Sequence, residues 1–166
     1  DENPPSESKE AMAAALALLS GGDSEGARDA LEKIVSADPG NREAGCLLAG
    51  LILIDDPDRA AELVADIGPG EQGVDRADAV RTLSRLMTSD ADNGGPGWAT
   101  YLEGVRSLRA GDLDAALEKW IETIASGHRE LDDDGPRKAC IAAFNILGED
   151  SEITRSHRRA FSSALF

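Results

Sequence analysis

The chain has 166 residues, enough for about one domain with a buried core that needs no disulfide or metal support. Its 32 acidic against 17 basic residues give a formal charge of −15, which argues against nucleic acid as a partner, since phosphate-backbone binding needs clustered Lys and Arg. Apolar residues make up 41% of the chain but aromatics only 4%, a balance that suits helix-on-helix packing and leaves almost no strand-like run.

In chain order, Asp1-Glu2-Asn3-Pro4-Pro5-Ser6-Glu7-Ser8 has no initiator Met and reads as an acidic interdomain linker (1–8), with another domain expected before it. Ala11, Ala14, Ala15, Leu18 and Leu19 then recur at helical spacing, and Gly21-Gly22 supply a C-terminal stop. Asp23 is placed to cap a second helix, whose stripe of Ala27, Ala30, Leu31, Ile34 and Val35 ends before Asp38-Pro39. A third helix is expected over about 42–54. Its partner opens at Asp56-Pro57, an N-cap followed by proline at the first helical position, and buries Ala60, Ala61, Leu63, Val64 and Ile67.

The Gly22 and Asp56 turns lie 34 residues apart, and each has alanine five residues later, Ala27 and Ala61. That period of helix, turn and helix is the tetratricopeptide spacing. It lapses over a helix at about 75–87 and a Gly/Asp-rich connection at 89–97, whose Gly94-Gly95-Pro96-Gly97 is expected to act as a flexible joint. It resumes with a helix at 98–108, the Gly111-Asp112 turn, and a stripe of Ala115, Ala116, Trp120, Ile121 and Ile124. The expected fold is all-α, a tetratricopeptide-like array of helical hairpins in a right-handed superhelix. Its repeats run over about 8–41, 42–74 (degenerate) and 97–130, within a domain spanning 9–166, and two closing helices follow at about 135–147 and 151–165.

Little in the chain suggests chemistry. Cys46 and Cys140 stand far apart outside any CxxC or Cys/His cluster and read as small core residues of a protein in a reducing compartment. His128 has no second ligand at metal spacing and reads as a solvated loop residue. Asp132-Asp133-Asp134 lacks the alternating ligands of a calcium loop and is expected to cap the next helix. Gly94-Gly95-Pro96-Gly97 lacks the Lys-Ser/Thr ending of a phosphate loop. No nucleophile–base pair, cofactor fingerprint or metal set is visible, so the expectation is a binding protein with no catalytic residue, cofactor or metal. No apolar stretch approaches a membrane span, so no membrane partner is expected.

The C-terminal helix carries the clearest functional signal. Arg155, His157, Arg158 and Arg159 occur with no acid after Glu152, a basic end on a strongly acidic chain. Arg155, Arg158, Arg159, Leu165 and Phe166 are the candidate partner-binding set, with a macrodipole interaction or salt bridges to the acidic body as the alternative reading of each arginine, and Ile153, His157, Ala160, Phe161 and Ala164 are expected on the packed face. Trp98 and Tyr101 are read mainly as core filling between repeats, with groove lining as the alternative.

Asp134-Gly135-Pro136-Arg137-Lys138, Leu147-Gly148, His157-Arg158-Arg159 and the terminal Ala164-Leu165-Phe166 together resemble the C-terminal tetratricopeptide region of the thioredoxin-fused co-chaperones, or chaperedoxins. His157 stands where that family often has tyrosine, and Ser162 replaces a second aromatic. The resemblance implies a cytoplasmic bacterial protein with a thioredoxin-like domain upstream. Its helical region would engage unfolded protein clients, a chaperonin or another chaperone. The family's redox cysteine motif matches no position here. A scaffold or dimerisation role for this region and a generic peptide-binding adaptor are the alternatives.

Overall fold

The structure, a computed structural model, describes residues 5–166, with side chains from Glu7 onward. Among the described residues there are nine α-helices and no strand: α1 (Pro5–Ser20), α2 (Ser24–Ala37), α3 (Arg42–Ile52), α4 (Pro57–Leu63), α5 (Val74–Thr88), α6 (Trp98–Arg109), α7 (Leu113–Ala125), α8 (Leu131–Leu147) and α9 (Glu152–Leu165). Of the expected linker, residues 1–4 lie outside the described residues and residues 5–8 already belong to α1. The chain divides within α5 into two compact units, Asp1–Ala77 and Asp78–Phe166.

One local device opens the second helix of each hairpin. Asp23, Asp56 and Asp112 each precede the first helical residue and accept a backbone N–H three residues on, from Gly26, Arg59 and Ala115, at 2.9, 3.1 and 2.9 Å. Such caps satisfy an amide that the helix leaves unpaired and contribute about 1 kcal/mol each. In the first and third hairpins the preceding helix is stopped by glycine in the left-handed region, Gly22 at φ 81° and Gly111 at φ 79°, a conformation that a β-carbon would strain. The second hairpin lacks this glycine and turns through Leu53–Asp55.

Counting from cap to cap corrects the repeat register. Asp23 and Asp56 are 33 residues apart, and the alanine four residues after each cap is Ala27, Ala60 and Ala116, all fully buried, whereas Ala61 is half-buried. Pairing a glycine with an aspartate across the two turns shifts the expected register by one residue. The small side chains let the paired helices approach, and Leu31, Val64 and Trp120, each four residues further on and fully buried, fill the space beyond.

In the first unit, α1 packs on α2, α2 on α3, and α3 on α4, around Ala15, Leu31, Leu48, Ile52 and Val64. Arg59 of α4 donates two hydrogen bonds to Glu32 of α2, at 2.6 and 2.7 Å. The second helix of the α3–α4 pair is short. Helix α4 has 7 residues against 14 in α2, and i→i+3 turns carry the chain on to the buried Ile67 before Gly68-Pro69-Gly70.

In the second unit, α6 and α7 pair closely, α8 and α9 pack on α7, and the core is built from Tyr101, Leu108, Leu117, Trp120, Cys140 and Phe144. Trp120 is wholly buried against Gly104 of α6, where any β-carbon would collide with the indole. The start of the 89–97 connection is tied down, since Arg109 donates to the carbonyls of Met87 and Ser89 at 3.0 and 2.8 Å. Cys46 and Cys140 are both unbridged and buried, and burial pushes the Cys140 thiol well above its ordinary pKa.

The three consecutive aspartates do something other than cap. Asp132, Asp133 and Asp134 hold φ of 51°, 56° and 62°, a left-handed turn that precedes the regular part of α8 at Gly135-Pro136. Each is held by cations. Asp132 accepts from Arg85 at 3.0 Å and from the Tyr101 hydroxyl at 2.8 Å. Asp133 pairs with Lys138 at 2.8 Å, and Asp134 with Arg129 and Arg137 at 3.1 and 2.5 Å. The backbone strain is thus held by ion pairs from α5, α8 and the α7–α8 turn, together with the Tyr101 hydrogen bond from α6.

Candidate partner-binding surface

The surface centres on α9, which Ser151 opens in extended conformation after Gly148 ends α8. Its inner face is fixed by Thr154, fully buried, and Phe161, which meets the Phe144 ring edge-on at 5.4 Å between centroids. Ala160, expected on this face, is exposed, whereas Thr154, six residues earlier, is buried. The Thr154 hydroxyl has no hydrogen-bond partner among the described residues, an unusual feature for a buried polar atom.

The basic residues of α9 separate into two groups. His157 lies 2.5 Å from Asp114 on α7, with its side chain 17% exposed. Arg158 places its guanidinium 4.4 Å above the Phe144 ring and pairs with Glu149, so both are spent on holding α9 against α7 and α8. Arg155 is exposed and donates to the backbone carbonyl of Asp150, with no acidic side chain paired to it among the described residues. Arg159 is exposed and forms no ion pair among the described residues. Arg155, Arg159, Ser162 and Phe166 follow one another at helical spacing on the outward side, while Leu165 is half-buried and Phe166 fully exposed.

Arg158 is therefore a structural contact rather than an available one, and Leu165 is only partly accessible. Trp98 and Tyr101 are 6% and 1% exposed, with rings packed edge-on at 5.6 Å, so they fill the core of the second unit rather than line an open groove. Burial, and then the bond to Asp132, push the Tyr101 phenol well above its ordinary pKa. The Asp114–His157 and Arg158–Phe144 contacts join residues 43 and 14 positions apart, and no local pattern announces either.

The outward face of α9 offers two guanidinium groups and a terminal aromatic ring. Those groups suit recognition of a carboxylate-bearing, partly apolar surface. Among the described residues no group of three or more His, Cys, Asp and Glu is placed to hold a metal ion, and no helix is long and apolar enough to cross a membrane.

A family model described as tetratricopeptide repeat matches residues 75–166, more than half of the chain. No curated protein and no solved structure matches it. That match takes in the capped α6–α7 hairpin and the α8 and α9 helices packed on it, and the chain belongs to the tetratricopeptide repeat family.

Proposed function

We propose that this chain is the protein-binding part of a cytoplasmic bacterial co-chaperone fused to a thioredoxin-like domain, and that the outward face of α9 docks it on chaperone machinery while the helical array engages unfolded clients. Membership of a repeat family whose all-helical fold typically serves protein–protein interaction supports the binding role. The observation that carries the choice of surface is the stripe of Arg155, Arg159 and Phe166. It exposes two arginines without an acidic partner among the described residues, and a fully accessible aromatic, on a chain of net charge −15. A centre of apolar contact rimmed by arginine is the arrangement that dominates binding energy in protein interfaces.

The test is binding of the purified chain to purified chaperonin and to a chemically unfolded model protein, comparing the parent with Arg155→Glu/Arg159→Glu and with Phe166→Ala. Loss of chaperonin binding with client binding retained supports docking through α9. Undiminished chaperonin binding by both variants moves the site elsewhere. Self-association of the parent with neither partner bound supports the scaffold reading instead.

A further inference from the structure

The first unit contains a cavity of about 400 Å³. One wall is the first turns of α3, with Arg42, Glu43, Cys46 and Leu47. The other is the segment entering α5, with Glu71, Gln72, Gly73 and Arg76. The volume falls within the range of small-molecule sites and is ample for a single amino acid as large as phenylalanine.

The charges around it are not equally available. Glu71 is fully engaged, since one oxygen accepts from Arg42 and the other from the backbone N–H of Gly68 at 2.5 Å. Arg42 uses one of its terminal nitrogens in that pair and keeps its remaining donors. Arg76 and Glu43 have no side-chain partner among the described residues, and they stand on opposite walls. Between them Leu47 and the buried Cys46 supply an apolar surface. A plain anion would meet Glu43, and a plain cation would meet Arg76. A ligand bearing both charges beside an apolar group answers Arg76, Glu43 and the apolar surface together.

We infer that this pocket binds a free α-amino acid with an apolar side chain. The ligand's carboxylate would lie on Arg76 and the free donors of Arg42, its ammonium on Glu43, and its side chain on Leu47 and Cys46.

The experiment titrates the full chain with L-phenylalanine, 3-phenylpropanoate and 2-phenylethylamine, followed by calorimetry and by amide chemical shifts. Saturable binding of phenylalanine is expected, with shifts at Cys46, Leu47, Gln72, Gly73 and Arg76. Each analogue lacking one charge binds about tenfold or more weakly, the loss expected for one charge-assisted hydrogen bond. Arg76→Gln weakens phenylalanine by about the same factor. Glu43→Gln brings phenylalanine and phenylpropanoate to equal affinity. No saturable shift with millimolar phenylalanine, shifts confined to other residues, or phenylpropanoate binding as tightly as phenylalanine to the parent would each overturn the inference. The ligand series needs no substitution, so a variant that failed to fold would leave the decision intact.

Discussion

Two aspartates in the same backbone conformation are predicted to respond oppositely to replacement by glycine. Asp132 and Asp133 have φ of 51° and 56°, so glycine at either relieves left-handed strain. Asp132 also receives the Tyr101 hydroxyl at 2.8 Å and Arg85 at 3.0 Å, whereas Asp133 meets only the exposed Lys138. A hydrogen bond from a largely buried phenol to a carboxylate is worth roughly 1.5–3 kcal/mol, and the strain relieved is about 1 kcal/mol, partly offset by the entropy glycine adds to the unfolded chain. Asp132→Gly should therefore cost about 1–2 kcal/mol and lower Tm by roughly 2–8 °C, while Asp133→Gly raises Tm. Thermal unfolding by circular dichroism measures both. Tyr101→Phe combined with Asp132→Gly should cost less than the two singly, because they remove one shared bond. Equal losses from Asp132→Gly and Asp133→Gly would refute the claim that the Tyr101 and Arg85 contacts hold the strained turn.

Three further outcomes follow from the packing. Arg158→Ala should destabilise by about 1 kcal/mol and speed amide exchange through α9, because it removes the contact above Phe144, while Arg159→Ala leaves both unchanged. Thr154→Val keeps the buried shape and removes a hydroxyl without a partner among the described residues, so urea unfolding should show a gain of about 1 kcal/mol. The third concerns acid. Hydrogen bonds from Arg59 hold the Glu32 carboxyl below the usual carboxylate range; burial opposes the shift at Asp134, but hydrogen bonds from Arg137 and Arg129 still leave that carboxyl lowered. A carboxyl lowered on folding contributes stability above its unfolded pKa of about 4 and loses it as pH falls through the lower folded value. Tm should decline progressively below about pH 5, and the Glu32→Gln/Asp134→Asn variant should decline less steeply.

Local signals carried the sequence a long way. The Asp caps, the glycine stops and Pro57 are each written within five residues of the helix they start or end, and the helices form close to where those signals lie. The register of the middle repeat was harder to read, because Ala60 and Ala61 are adjacent and only the cap geometry tells them apart. The aspartate triplet reads as a cap from sequence because its partners Arg85 and Tyr101 lie 47 and 31 residues away. The candidate surface was legible as a basic stretch, but not which arginines it offers. Adjacent Arg158 and Arg159 differ only in whether a ring and an acid wait beside them, and Phe144 and Glu149 come from the preceding helix and its turn. The cavity beside α3 was invisible, since it depends on Arg76 being brought opposite a helix that starts 34 residues earlier.

The most direct test of the account is calorimetric titration of purified chaperonin with the chain, its Arg155→Glu/Arg159→Glu variant and its Arg158→Ala variant, at a temperature at which circular dichroism shows all three to be folded. Docking through the outward face of α9 predicts that the double charge reversal abolishes binding while Arg158→Ala, which touches only the inner contacts, retains it. Binding that survives the charge reversal, or fails equally in both variants with α9 still helical, would contradict the claim that Arg155 and Arg159 form the docking surface.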